Sequence, residues 1–297
     1  MTAPTDTDRG LLDEFAARAG LSATGAEPIR LAENALWRLP QGVVARITRP
    51  GQHQAATREI TLTRWLASLG FPAVRPLPID QPVHAAGRAA TFWEELPPHR
   101  PGTTGDLAHL LRRLHDLPVP PHIAGQLGRL DPFVRLTDRI DTAAHLTPDD
   151  RRLLLDRTTA LRAQWAALDR PADLSLVHGD AWPGNTASFP DGSVVLLDFE
   201  RTALGPPQWD LTSTAVSADT LGTLTPDAYH RFATAYGTDV RTWDHYPLLR
   251  AIRELRLVTF AFQTTGQDPD ALREAHHRLA CLRGERGPRP WGWKPVG

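Results

Sequence analysis

Apolar positions along the first hundred residues come in short alternating runs. Ile29 to Ala32, Ala35 to Leu39 and Val43 to Thr48 read as three strands, and Pro40, Gln41 and Gly42 turn the second into the third. The period then lengthens. From Ala55 to Leu69 the apolar residues Leu62, Trp65, Leu66 and Leu69 recur at helical spacing, with Gly70 placed to cap the C-terminus. Glu59 lies three residues before Leu62 and seven before Leu66, so it shares their inward face. A carboxylate placed there needs a cation, because an unpaired buried charge is very costly. A further strand spans Ala90 to Leu96, stopped by Pro97 and Pro98.

Beyond the proline- and glycine-containing stretch that ends at Gly105, the pattern is mostly helical. Leu107, Leu110, Leu111 and Leu114 form a buried stripe ending at His115. Thr147-Pro148 and Thr225-Pro226 are helix starts, with threonine as cap and proline at the first helical position, and Gly237 closes the second of these helices. Further helices are expected from Pro247 to Phe262 and from Pro269 to Leu282. One segment interrupts them. Leu174, Leu176 and Val177 make a short strand running into His178, and Ser193 to Leu197 make another, preceded by the turn residues Pro190, Asp191 and Gly192. Folded about that turn, the second strand lies along Thr186 to Phe189 and brings Asp198 close to Asn185. The last segment, GPRPWGWKPVG, reads as a loosely ordered tail.

Composition narrows the class. The chain has 297 residues, 41% hydrophobic, enough for a sizeable core, and its formal charge of −1 gives no broad attraction to nucleic acid or membrane. The amino terminus lacks a basic region followed by an apolar core, and no run approaches membrane-spanning length. A single cysteine, Cys281, excludes an internal disulfide and fits the cytoplasm. His115, His276 and His277 lack the spacing of a zinc site and read as packing or surface residues. No oligomeric state follows from any of this.

The chemistry concentrates in LVHGDAWPGNTASFPDGSVVLLDF, Leu176 to Phe199, where an acid, Asp180, is followed five positions later by an amide, Asn185, and then by a second acid, Asp198. Phosphoryl transfer leaves a protein little covalent work beyond orienting a hydroxyl and neutralising charge on the triphosphate. Asp180 suits the acceptor proton. Asn185 and Asp198 supply oxygen ligands of the kind Mg²⁺ takes, and the Asp180 to Asn185 spacing equals that of the protein-kinase catalytic loop.

These residues resemble the aminoglycoside phosphotransferase and choline kinase family, whose signature is His-Gly-Asp, four residues, Asn, a hairpin and Asp-Phe-acid. His178, Gly179, Asp180, Asn185, Asp198, Phe199 and Glu200 match it, followed by Gly205 and Trp209-Asp210-Leu211. The resemblance implies an α+β, two-lobed, protein-kinase-like fold, with a small antiparallel β-sheet lobe and a larger, mainly helical lobe. The expected division is residues 1–96 for nucleotide binding and 97–297 for catalysis and the acceptor, with the site between the lobes. By position, Asp180 is the catalytic base, Asn185 and Asp198 hold Mg²⁺, and Asp210 braces the catalytic loop from behind. Adenine would be read by the carbonyl of Glu94 and the amide of Leu96, with Trp93 packed behind.

Two departures stand out. The first two strands are joined by Glu33-Asn34 without a glycine-rich loop, and the only lysine, Lys294, is too far along the chain to grip phosphates from a strand. Arg46 in VVARI occupies the kinase lysine position, and its planar fork can hold phosphate oxygens and the Glu59 carboxylate together. The resulting expectation is an ATP- and Mg²⁺-dependent kinase of a small-molecule hydroxyl, less often an amine. Trp182 resembles the tryptophan of the ketosamine-kinase branch, so a sugar-like acceptor stands beside an aminoglycoside. A non-catalytic nucleotide-binding protein of kinase fold, and a metal-dependent hydrolase built on His178, Asp180 and Asp198, are the alternatives from other classes.

Overall fold

The computed structural model describes residues 5–31, 34–168, 174–266 and 268–296. In chain order the helices and strands are α1 (Asp6–Arg18), β1 (Glu27–Leu31), β2 (Ala35–Leu39), β3 (Val43–Ile47), α2 (His53–Ser68), β4 (Val83–Ala85), β5 (Arg88–Glu94), α3 (Thr104–His115), α4 (Pro121–Ala124), α5 (Leu136–Thr142) and α6 (Pro148–Ala166). They continue with β6 (Ser175–Val177), β7 (Thr186–Ser188), β8 (Val194–Leu196), β9 (Ala203–Gly205), α7 (Gln208–Val216), α8 (Pro226–Tyr236), α9 (Tyr246–Thr264) and α10 (Pro269–Leu282). The chain forms two compact units, a sheet unit of residues 1–102, 118–128 and 183–202 and a helical unit of residues 103–117, 129–182 and 203–297.

The sheet unit is built on five antiparallel strands in the order β1-β2-β3-β5-β4. Strand alternation decides its two faces. Val43, Ala45 and Ile47 of β3 are buried in one cluster with Trp37, Leu39, Ala90 and Phe92, and α1 adds Leu12 and Phe15 to that cluster. Val44 and Arg46 therefore belong to the opposite face, where α2 lies. A capping box at Thr5 and Asp8 starts α1, a helix that the strand-centred sequence pattern did not announce. Ala32 and Glu33, part of the first expected strand and of the link that follows it, lie outside the described residues. Gly70 follows α2 with φ +64°, a conformation that glycine adopts without penalty, and Phe71 N–H closes back on Leu66 O at 3.0 Å.

The hairpin β7–β8 also belongs to this unit. Its turn is held by Asp191, which accepts from Ser193 N–H at 2.9 Å and from the Ser193 hydroxyl at 2.7 Å, while Gly192 takes φ +84°. Val74 N–H donates to Leu196 O, and Gly102 N–H donates to the Thr186 hydroxyl. The hairpin is thus bonded to the segments on either side of β4 and β5 rather than standing alone.

The helical unit gathers its core around α9. Leu249, Ile252, Leu255, Val258, Ala261 and Phe262 from that helix are buried with Leu154, Leu161 and Trp165 of α6 and Ala275 and Leu279 of α10. Thr147 and Thr225 cap α6 and α8, and proline opens both, as threonine followed by proline dictates. The two-stranded pair β6–β9 places Gly205 opposite Ser175. A Cβ on Gly205 would stand 2.8 Å from Leu130 Cβ and 3.3 Å from Val177 Cγ2, so only glycine fits there.

The carboxy-terminal segment departs from the loose tail that its composition predicts. Trp293 is buried, Trp291 stacks on it with ring centroids 5.3 Å apart, and Arg289 donates two bonds to the Glu254 carboxylate at 2.7 and 2.8 Å. Glu254 is fully buried, and its charge requires the cation that this segment brings. No helix among the described residues is long and apolar enough to cross a membrane.

Candidate active site

The residues singled out by sequence divide between the two units: Arg46, Glu59, Glu94, Leu96, Asn185 and Asp198 in the sheet unit, Asp180 in the helical one. In the sheet unit, Arg46 meets Glu59 as the helical period of α2 requires. Arg46 Nη1 lies 2.9 Å from both Glu59 carboxylate oxygens, with 12% and 5% of the two side chains exposed. Arg46 Nη2 reaches Glu200, and Asp198 stands 4.0 Å from Nη1. Asn34 Nδ2 donates to Glu200 at 3.2 Å. One guanidinium thus faces three carboxylates. Burial pushes the Glu59 carboxyl up to about 7, the Arg46 charge opposes this, and the nearby Asp198 and Glu200 charges add to it. Arg46 itself is held protonated, because attraction to Glu59, Asp198 and Glu200 outweighs its own burial. Glu200 was visible in the sequence only as the acid after Asp-Phe, with no signal of its link to Arg46.

Asn185 and Asp198 stand at the open end of the β7–β8 hairpin. Thr186 pairs with Leu196, and Leu197 N–H donates to Asn185 O at 2.9 Å, so the strand ends carry both residues side by side. Asp198 has φ +57°, a left-handed conformation that costs a non-glycine residue on the order of 1 kcal/mol and that clusters at functional sites. Its side chain is 47% exposed. A carboxamide and a carboxylate oxygen beside an excess of negative charge suit a hard divalent cation, and these two residues would hold it.

The strand edge of β5 is split by alternation. Glu95 N–H donates to Gly42 O, whereas Glu94 N–H donates to Arg75 O and Phe92 O accepts from Leu77 N–H. Glu94, and by parity Leu96, fall on the edge turned away from β3. There a cleft of about 480 Å³ is lined by Ala73, Arg75, Glu94, Leu96, Phe189 and Val195, among others. Trp93 is buried behind it, its Nε1 donating to the Thr91 hydroxyl at 2.9 Å.

In the helical unit the loop from His178 to Asp180 is held by Asp210. The carboxylate accepts from His178 N–H at 2.6 Å and from Gly179 N–H at 2.8 Å, and Trp209 Nε1 donates to Gly179 O at 3.0 Å. Gly179 takes φ +83°, which explains the glycine before the acid. His115 Nε2 lies 2.9 Å from Asp210 Oδ2, and its Nδ1 lies 2.8 Å from the Tyr236 hydroxyl. A hydrogen on Nε2 lets the ring donate to the Asp210 carboxylate, while Nδ1 faces the tyrosine hydroxyl. His115 is therefore a packing residue that also orients the brace. Asp180 is 38% exposed at its side chain and accepts from Arg253 Nη2 at 3.3 Å, a partner on α9 that no local pattern announced.

The profile described as the phosphotransferase enzyme family, APH, matches residues 26–252. The chain belongs to this family. Among solved structures, an amicoumacin kinase aligns with TM-score 0.69 at 17% identity, covering 92% of this chain and 90% of its own. An aminoglycoside phosphotransferase from Streptomyces rimosus aligns with TM-score 0.62 at 20% identity over 85% of this chain and 99% of its own. A choline kinase from Streptococcus pneumoniae aligns with TM-score 0.61 at 14% identity over 93% of this chain and all 100% of its own. At these identities the likeness establishes the fold. No curated protein sequence matches the chain. The α+β architecture, a small antiparallel sheet with a mainly helical part, is that of the kinase-like phosphotransferases, and the protein is a phosphotransferase of this family.

Proposed function

We propose that the protein is a cytoplasmic, ATP-dependent kinase that phosphorylates a hydroxyl of a small molecule, aminoglycoside-like or sugar-like. The observation that carries this reading is Arg46, gathered with Glu59, Glu200 and Asp198 in the sheet unit. An isolated structural ion pair needs one carboxylate, whereas three carboxylates around one guanidinium favour a bound cation. Solved relatives carry nucleotides, and one a divalent cation: the amicoumacin kinase is in complex with AMP-PNP and Ca²⁺, a spectinomycin phosphotransferase with ADP, and an aminoglycoside phosphotransferase with GDP and kanamycin.

In this reading the Glu94 carbonyl and Leu96 amide hold adenine, and Arg46, steered by Glu59, donates to the phosphates. Asn185 and Asp198 would hold Mg²⁺, which would supply charge neutralisation on the nucleotide. Asp180 accepts the acceptor's hydroxyl proton as that oxygen bonds to the γ-phosphorus and the bond from phosphorus to the bridging oxygen breaks, so ADP leaves. Asp210 contributes through the backbone, by fixing the two amides that precede Asp180. A screen of ATP consumption against aminoglycosides, amino sugars, sugars, nucleosides and amino alcohols tests the reading. Acceptor-dependent ADP release supports it. Failure to bind the Mg²⁺ nucleotide would remove it.

A further inference from the structure

Every acid carried by α7, α9 and the intervening turn Ser217–Leu221 is already engaged inside the helical unit. Asp210 holds the two loop amides and His115. Asp219 accepts from the Tyr246 hydroxyl at 2.8 Å and faces Arg241 at 3.6 Å. Glu254 is bound by both arms of Arg289 and by the Thr220 hydroxyl at 2.7 Å. None of these offers a spare carboxylate to an ammonium group.

Of the three arginines of α9, Arg256 donates to Pro132 O at 2.8 Å, whereas Arg250 and Arg253 are less fully engaged. Arg250 and Arg253 are one helical turn apart, as their spacing of three requires. Arg250 has no hydrogen bond among the described residues; its nearest carboxylate is Glu254 at 4.0 Å, already satisfied by Arg289, and its guanidinium lies 5.5 Å from the Tyr246 ring centroid. Arg253 is only 13% exposed, yet it spends one donor, at 3.3 Å, on Asp180. Its other N–H groups have no hydrogen-bond partner among the described residues, and its guanidinium is steadied 6.0 Å from the Trp209 ring centroid. Trp209 is the residue that ties down Gly179 O. No Arg253 donor is a buried group left without a partner, so its remaining N–H groups stay open to solvent beside the proposed base, where a ligand can accept from them.

We infer that the acceptor carries an anionic group, a carboxylate or a phosphate, near the hydroxyl it presents, and that Arg253, assisted by Arg250, receives it. This rests on the kinase reading of Asp180 and narrows the acceptor from an aminoglycoside-like polycation to an acidic sugar or hydroxy acid. The planar fork leaves Arg253 able to contact Asp180 with one arm and an acceptor anion with the others. Binding the anion also fixes where the neighbouring hydroxyl sits relative to Asp180, so Arg253 acts as a specificity and positioning residue.

The test uses the full chain and one ring scaffold with different charges: glucuronate, a hexose monophosphate, glucose and glucosamine. Binding of each is measured by calorimetry and ATP turnover is measured in parallel, for the unaltered protein, Arg253→Gln and Arg253→Lys, with thermal melting to check folding. The expected result is a preference for glucuronate or the hexose phosphate over glucose and glucosamine. Arg253→Gln should raise the KM for the acidic acceptor about tenfold to hundredfold, the loss expected for a charge-assisted pair, and should erase the ratio by which the acid is preferred to glucose, whatever the lost Asp180 contact does to both. Arg253→Lys should restore part of it. The two acidic probes separate carboxylate from phosphate. Tighter binding of glucosamine than of either acid, or an acid preference that survives Arg253→Gln, would overturn the inference. Loss of Mg²⁺-nucleotide binding would instead strike the kinase reading and leave an Arg253-dependent anion site standing.

Discussion

Replacing Glu59 by glutamine should make the protein more stable and less active. Glu59 is 5% exposed and shares its single cation with Glu200 and Asp198. Burial raises its carboxyl from 4.5 to about 7, so the folded state holds its proton more tightly than the unfolded chain. A group raised in this way contributes fully only below its unfolded value, and stability falls as pH rises through the window from about 4.5 to about 7. At 1.36 kcal/mol per unit, the ionised carboxylate costs roughly 3 kcal/mol at pH 8 and less than about 1 kcal/mol at pH 5. Glutamine keeps the shape and removes the charge. Glu59→Gln should therefore raise the urea midpoint clearly at pH 8 and hardly at pH 5, measured without nucleotide. The same variant should raise the KM for ATP, because Arg46 loses the anchor that steers it. A destabilised variant at pH 8 would mean that the Arg46 pair outweighs desolvation, and a difference that does not change with pH would mean that folding leaves the carboxyl unshifted; either would refute the reasoning.

Three further outcomes are expected. Asp180→Ala should lower kcat by roughly a hundredfold or more and leave nucleotide affinity largely intact, as steady-state kinetics and nucleotide titration would show. Asp198→Ala should weaken nucleotide binding far more with Mg²⁺ than without it; equal losses in calorimetry would reduce Asp198 to a structural role. Gly205→Ala should destabilise the helical unit by about 1–3 kcal/mol, because the added methyl meets the Leu130 Cβ rather than a mobile chain end, and chemical denaturation would register the loss.

What the sequence disclosed depended on how local the cause was. The β7–β8 hairpin is encoded by Pro190, Asp191 and Gly192 within a few residues, and the approach of Asn185 to Asp198 follows from it. The meeting of Arg46 and Glu59 was legible because a two-residue period and a helical period each assign a face. The partners that come from far along the chain left no such trace. Glu200 reaches Arg46 from 154 residues away, and Arg253 reaches Asp180 from 73, on helix positions that read as ordinary arginines in an arginine-rich chain. His115 looked like packing, and its bond to Asp210 becomes visible only when α3 and α7 are placed together. The tail was misread because proline and glycine signal loops, whereas Arg289 and Trp293 answer a buried charge and an apolar surface supplied by other helices.

The hold on the His178–Asp180 loop has a consequence for change over generations. The loop's shape is stored mostly outside the loop, in a carboxylate on α7 that reads two main-chain amides, and main-chain amides are present whatever the side chains are. Trp182, half exposed two positions after Asp180, can therefore be exchanged without retuning the aim of that acid. Asp210 has no such freedom, since an amide in its place would turn a donor toward a donor. A lineage or a library altering acceptor choice can thus sample Trp182 widely, while a single atom at position 210 decides whether any of those trials is productive.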